Sequence, residues 1–170
     1  MILAKAYRPI DNAPLILFRI ALGALIMAES FVAILTGWVK KNLIDPTVHL
    51  PHIGFDFLIP LPGLGMYAYY CIMGIFGLGI LLGYKYRLSL AGFTLMWTGV
   101  YLMQKASYNN HYYLLLLVCL IMLFLPANRY ASLDAKSNPK IKSLSMPQWV
   151  AWVMIAQMSI VYFFATISKF

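Results

Sequence analysis

Five apolar segments dominate the sequence and limit the folds that are open to it. They cover residues 14–38, 64–84, 88–104, 112–127 and 148–169. A helix needs about 20 apolar residues to cross a bilayer, and in lipid only helices and closed barrels satisfy every backbone polar group. Only 11% of the residues are charged, against about a quarter in soluble domains, and the mean hydropathy is +0.78. We therefore predict a single all-α domain, a polytopic transmembrane bundle with about five spanning helices.

The basic residues predict the orientation of this bundle. The net charge of +8 is spread singly and in pairs over the loops, so it indicates a membrane protein rather than a nucleic-acid partner. If the spans alternate, one side holds eight basic residues and the other four. The richer side carries Lys5, Arg8, Lys85, Arg87, Arg129, Lys136, Lys140 and Lys142. The positive-inside rule then places the N-terminus in the cytoplasm and residues 39–65 and 105–113 on the non-cytoplasmic face.

Residues 105–113, here called the polar segment, interrupt two of the most apolar runs in the chain. They include Lys105, Tyr108, Asn109, Asn110 and His111. Polar side chains near membrane depth are candidates for a functional site because hydrocarbon offers them no hydrogen-bond partner. The alternative is an interfacial loop in which the amides cap the next helix and the tyrosines join the aromatic belt.

Two charged residues fall inside the first apolar segment. Arg19 and Glu29 are ten residues apart, which separates them by about 15 Å along a helix and places them near opposite faces. We therefore expect each to find a polar partner elsewhere in the bundle, with Gln157, Tyr162 and the tyrosines of the second span as candidates for Glu29. Arg19 could instead extend its side chain to the interface.

The connection between the first two spans, residues 39–65, is too apolar for a solvated loop, and its prolines prohibit a regular helix. We expect it to fold back on the membrane surface as a cover. His49 and His52 are three residues apart, but Pro51 lies between them and no cysteine or carboxylate has ligand spacing. We therefore predict no metal site.

Lys169 follows the aromatic and apolar run at the end of the last span. A lysine in this position is usually an interface anchor. The alternative is chemical, because an ammonium group among apolar side chains loses hydration and its neutral amine becomes available as a general base.

Several motifs resemble the vitamin K-dependent gamma-carboxylase family, and specifically its membrane region, the HTTM (horizontally transferred transmembrane) domain. The resemblance covers the chain from about residue 15 onward. It is carried by Lys105-Ala-Ser-Tyr-Asn-Asn-His-Tyr-Tyr-Leu, by Pro126-Ala-Asn-Arg-Tyr-Ala-Ser-Leu-Asp134, by Gln157-Met-Ser-Ile-Val-Tyr-Phe-Phe-Ala-Thr-Ile-Ser-Lys169 and by Leu82-Gly-Tyr-Lys-Tyr-Arg87.

This resemblance implies an enzyme that uses a reduced vitamin K-type naphthoquinol, O2 and CO2 to carboxylate glutamate in a peptide or protein. Lys169 matches the amine that deprotonates the quinol. His111 matches the family's functional histidine, with a role in orientation or charge stabilisation. An amine is too weak a base to remove a carbon-bound proton directly, so oxidation of the quinol supplies the stronger base. As substrate-binding residues we assign Lys105, Tyr108, Asn109, Asn110, Arg19, Glu29 and Tyr162.

Two departures from the family pattern limit this expectation. Ser168 stands where animal members have a second lysine, so less cationic repulsion acts on Lys169. The sequence of 170 residues also lacks the further helices and extramembrane domain of the full-length enzymes, which indicates a fragment or a minimal relative. The alternative function is a non-carboxylating module, either a DoxX-like quinone-associated protein or an assembly subunit.

Overall fold

A computed structural model of the chain describes residues 5–107 and 109–167. Six α-helices dominate the described residues and confirm the predicted helical fold. They are α1 (Ala13–Leu35), α2 (Gly65–Leu82), α3 (Tyr86–Met103), α4 (Asn110–Met122), α5 (Leu133–Ser137) and α6 (Trp149–Ile167). Shorter elements are a π-helix (Lys40–Ile44), two 3-10 helices (Lys105–Ser107 and Pro139–Ile141) and two strands, β1 (Pro9–Asp11) and β2 (Ser145–Pro147).

Three helices, α1, α2 and α6, are long and apolar enough to cross a membrane. The chain is therefore an integral membrane protein. Helix α3 is as long as α2, with 18 residues, but it is less apolar. Helix α4 has 13 residues, and its length of about 20 Å is less than the hydrocarbon core of about 30 Å. A total of five spans thus stays a prediction.

Small residues allow α1 and α2 to pack closely in opposite directions. A side chain at Gly23 would overlap the backbone of Leu81, and one at Gly77 would come within 2.7 Å of the Met27 nitrogen. Glycines of this kind let helix backbones approach each other in lipid, where no hydrophobic effect drives helices together. Helix α2 packs against both α1 and α3.

Side chains that donate to backbone carbonyls connect the next helices. The Tyr69 hydroxyl of α2 donates to the Met96 carbonyl of α3 at 2.7 Å. From α3, the Tyr86 hydroxyl donates to the Met122 carbonyl of α4 at 2.9 Å, and Trp97 Nε1 donates to the Tyr112 carbonyl at 3.2 Å. These pairs are antiparallel, so α1 to α4 run alternately up and down.

A short antiparallel ribbon that the sequence analysis did not predict joins the N-terminal segment to the loop before α6. Pro9 pairs with Pro147 and Asp11 with Ser145. The backbone nitrogen of Asn12 donates to the Leu144 carbonyl at 2.8 Å. The ribbon therefore brings the N-terminal segment and the 126–147 loop together at one end of the bundle, as expected for segments predicted to share one side of the membrane.

Helix α6 packs on the bundle only near its start. Val150 is buried, and a cavity between α6 and Pro14, Leu15 and Phe18 of α1 is lined on the α6 side by Val150, Ala151, Met154 and Ile155. Most later side chains are exposed, including Tyr162 at 68%. The apolar surface of α6 is thus available to lipid or to further helices.

Candidate functional site

Asn109 caps α4 and fixes the orientation of His111. Its Oδ1 accepts a hydrogen bond from the His111 backbone nitrogen at 3.0 Å and lies 2.8 Å from ring Nδ1. The backbone donor identifies this atom of the amide as the oxygen, which can only accept. In the neutral imidazole, ring Nδ1 is therefore the donor and Nε2 the acceptor. The capping role that the sequence analysis held as an alternative is present, and it also defines the tautomer of His111.

His111 lines a cavity between α1, α3 and α4. The volume of this cavity is about 240 Å³, and an engineered apolar cavity of about 150 Å³ already binds benzene. We call it the lateral cavity because exposed Leu25 stands at its edge. Its walls are mainly apolar and aromatic and consist of Leu22, Leu25, Ile26, Glu29, Ser30, Phe93, Trp97, His111, Tyr112 and Leu115.

Aromatic contacts stiffen one wall of the lateral cavity. The rings of Trp97 and Tyr112 meet edge to face with centroids 5.1 Å apart, and Phe93 stacks on Trp97 at 5.8 Å. Trp38 contacts Tyr112 from behind at 6.5 Å. Aromatic pairs in such geometries contribute about 0.5–1.5 kcal/mol beyond their burial, so this wall is suited to holding a flat apolar ligand in place.

Glu29 is the acidic residue of the lateral cavity. Its side chain is exposed, and it acts electrostatically on the hydroxyls of Tyr70 and Tyr112. Within residues 5–107 and 109–167 it forms no hydrogen bond or ion pair. The prediction that Glu29 has a polar partner in the bundle is therefore wrong for the described residues, where Tyr70 of the second span interacts with it only electrostatically. Because a carboxylate at membrane depth is costly without compensation, Glu29 is a candidate ligand-binding group.

A cover formed by the 39–65 connection lies over the same end of the bundle. The buried amide of Gln104 holds it on two sides, since Oε1 accepts from the Leu50 nitrogen at 3.2 Å and Nε2 donates to the Asn42 carbonyl at 3.3 Å. The backbone of Lys105 also donates to the Leu50 carbonyl at 2.7 Å. The predicted cover is present, with a π-helix (Lys40–Ile44) inside it.

Beneath this cover is a second, enclosed cavity of about 20 Å³. It borders Glu29, Trp97 and Tyr112, which also line the lateral cavity. The volume is too small for an aromatic ring. Glu29 therefore separates a space of ligand size from a space that admits only a very small molecule.

The remaining residues predicted for the site are distributed unevenly. Lys105 and Asn110 are exposed on the polar segment, at the end of the bundle where the cover lies. Tyr162 is exposed on α6 and is not among the residues that line either cavity beside Glu29. Tyr108 and Lys169 lie outside the residues that the structure describes.

Arg19 lies toward the opposite end of α1 from Glu29. It is completely buried, and its Nη2 donates to the Ala131 carbonyl at 2.6 Å. Its Nε and Nη1 have no hydrogen-bond partner within the described part of the chain. Gly83 leaves space for this guanidinium, because a side chain there would overlap Nη1. Arg19 is therefore not extended to the interface and does not line the lateral cavity.

The sequence analysis did not identify the aromatic lining of the cavity. Phe93 and Trp97 are spaced i, i+4 on α3, which places them on one face. Such a pair is also typical of an ordinary helix interface, so spacing alone could not separate a binding wall from core packing.

One protein family matches nearly the whole chain. The family described as the HTTM domain matches residues 7–170. The chain belongs to the HTTM domain family. The resemblance of its membrane motifs to that domain is thereby confirmed, and the HTTM domain is associated with vitamin K-dependent carboxylases. No solved structure matches this HTTM domain.

Proposed function

We propose that this HTTM domain binds a reduced naphthoquinol in the lateral cavity and oxidises it with O2 to drive carboxylation of peptidyl glutamate. The observation that carries the proposal is His111, held by Asn109 with Nε2 free, in an apolar and aromatic cavity of a membrane protein. Family membership supports the reaction class.

The cavity residues fit a naphthoquinol. The ring system is flat and apolar, and the wall offers it the apolar rings of Phe93 and Trp97, which stack on each other, with Tyr112 edge to face against Trp97. The two hydroxyls need acceptors, which His111 Nε2 and the Glu29 carboxylate provide. Exposed Leu25 at the cavity edge gives a lipophilic ligand an approach from the bilayer. Lys105 and Asn110 lie on the polar segment, which the distribution of basic residues predicts to be on the non-cytoplasmic face. A peptide substrate would approach the cavity from that face.

The reaction balances without a metal. Quinol and O2 give the quinone epoxide and water, with one oxygen atom of O2 in each. Oxidation of the quinol by O2 generates the strong base that removes the γ-proton of the glutamate. CO2 then adds to the γ-carbon, and one proton is released overall. In this proposal Lys169 accepts the first hydroxyl proton, and His111 orients the ring or stabilises developing charge.

Epoxidation and carboxylation can be tested in the full chain in lipid nanodiscs. The assay supplies 2-methyl-1,4-naphthoquinol, O2, labelled CO2 and a short glutamate-containing peptide, and it measures epoxide and fixed label. Lys169→Ala should lower epoxidation by about 10²–10⁴-fold, and an added small amine should restore part of the rate. His111→Ala should lower it by about 10²–10³-fold without amine rescue.

His49→Ala is the matched control, because His49 lies in the cover and does not line the lateral cavity. Its epoxidation rate should stay close to that of the unchanged chain. Unchanged epoxidation in Lys169→Ala, or amine rescue of His111→Ala, would contradict the assigned roles. Quinol binding without any epoxide would favour the non-carboxylating, quinone-associated alternative.

A further inference from the structure

The hydrogen-bond donors that line the lateral cavity are largely used within the protein. Trp97 Nε1 donates to the Tyr112 carbonyl at 3.2 Å. The Ser30 hydroxyl donates to the Ile26 carbonyl at 2.8 Å, so only the lone pairs of its oxygen remain. Among the described lining residues, the Tyr112 hydroxyl is the one group still able to donate.

Apart from the Tyr112 hydroxyl, the lining side chains without a hydrogen-bond partner among the described residues are acceptors. An ionised carboxylate has no proton to donate, and Glu29 has no hydrogen-bond partner among the described residues. Nδ1 of His111 carries the proton shared with Asn109, so Nε2 is an acceptor as well. A ligand that satisfies both groups must bring two donors of its own.

This inference rests on the proposed function and concerns the redox form of the ligand. We propose that the lateral cavity selects the diol form of a naphthoquinone over the oxidised form, and that the carboxylate of Glu29 determines this selectivity. The diol carries two hydroxyl donors, whereas the quinone carries two carbonyl acceptors. The quinone would leave Glu29 and His111 without hydrogen bonds and would turn a carbonyl dipole toward a carboxylate, which is unfavourable in an apolar cavity.

The selectivity has a consequence for turnover. After oxidation the product lacks the two hydroxyl donors, so Glu29 no longer holds it. The same carboxylate that binds the substrate thus favours release of the product. Glu29 is a specificity-determining residue in this proposal, and no proton transfer by it is required.

Binding of the two redox forms can be measured without turnover. The full chain in nanodiscs is dialysed anaerobically against 2-methyl-1,4-naphthoquinol kept reduced by excess dithionite, or against the corresponding quinone without reductant. Empty nanodiscs correct for partition into lipid. We expect the unchanged chain to bind the diol about ten- to a hundredfold more tightly than the quinone, because a hydrogen bond to a charged acceptor is replaced by repulsion.

Glu29→Gln is the decisive variant, because the amide keeps the shape and adds an N–H donor. It should bring the ratio of the two affinities to about one or below, mainly by strengthening quinone binding. Glu29→Ala should weaken diol binding and should strengthen quinone binding less than Glu29→Gln does, because it removes the repulsion but adds no donor. Asp56 is an exposed carboxylate of the cover and does not line the cavity. Asp56→Asn therefore removes one negative charge at a distance from the ligand and should leave the ratio unchanged.

The outcomes separate this proposal from the proposed function. Equal affinities in the unchanged chain, or an unaltered ratio in a folded Glu29→Gln variant, would refute the role of Glu29 while epoxidation could persist. Binding of neither form by the unchanged chain would refute both proposals. A cooperative thermal unfolding transition shows that a variant is folded. If Glu29→Gln does not fold, Glu29→Ala provides the comparison with the unchanged chain.

Discussion

The carboxylate of Asp134 connects segments that are far apart in the sequence. Its Oδ1 accepts from the Lys85 backbone nitrogen at 2.7 Å, and its Oδ2 accepts from the Tyr86 nitrogen at 3.0 Å and from Asn128 Nδ2 at 2.8 Å. The backbone nitrogen of Asp134 also donates to the Gly83 carbonyl at 3.0 Å. Asp134 therefore caps α3 from outside the helix and holds the loop after α4 against the turn before α3.

Asp134→Ala should lower stability substantially. It removes the side-chain cap of α3, which typically contributes about 0.5–2 kcal/mol, and hydrogen bonds to a charged acceptor that contribute about 1.5–3 kcal/mol each. These contributions overlap and the carboxylate is only half-buried, so we expect a total loss of about 3 kcal/mol. At about 2–4 °C per kcal/mol for a chain of this size, Tm should fall by about 6–12 °C.

The assay is thermal unfolding of purified protein in one detergent, followed by helical circular dichroism. Asp11→Ala is the matched control, because Asp11 also lies beside a helix start but its Oδ1 accepts one exposed hydrogen bond, from the Ala13 nitrogen at 2.9 Å. Its loss should stay near 1 kcal/mol or below. If the two variants had the same Tm within about 2 °C, Asp134 would not be the connection described here.

Two further outcomes follow from the fold. Gly83→Ala should cost at least about 3 kcal/mol, since φ is 61° and the new side chain would overlap Arg19. Gly63→Ala, with φ of 59° and no atom within 4 Å, should cost only about 1–2 kcal/mol, so equal unfolding temperatures would argue against the overlap. In a background without native cysteines, an impermeant thiol reagent should label Lys41→Cys on intact cells. Lys136→Cys should be labelled only after permeabilisation, and the reverse pattern would invert the orientation.

The helices other than α5 were predictable because each coincides with a long apolar run that has polar residues at its limits. The five predicted segments start at residues 14, 64, 88, 112 and 148, and the corresponding helices start at 13, 65, 86, 110 and 149. The ends were less accurate, most clearly for α4, which was predicted to reach residue 127 and ends at Met122. Apolar composition continues beyond the helix there, so hydropathy alone does not show where it ends.

The connections between segments were not predictable from local pattern. The ribbon of β1 and β2 has three residues in each strand and contains prolines, which gives no alternation to detect. The cap of α3 by Asp134 spans 49 residues, whereas capping signals in a sequence are read within a few positions of the helix start. Asn109 is the contrasting case, because it lies directly before α4 and was considered as a cap from sequence.

The motifs that resemble the carboxylase family divide between the two ends of the bundle. Residues 82–87 and 126–134 meet around Asp134 and the buried guanidinium of Arg19, where hydrogen bonds join backbone to side chain. Residues 105–113 instead place His111 in the lateral cavity near Glu29. Both groups are polar residues beside apolar helices, so composition treats them alike. Their hydrogen bonds separate them, because the Asp134 carboxylate accepts three within the protein, whereas Glu29 and Nε2 of His111 have no hydrogen-bond partner among the described residues.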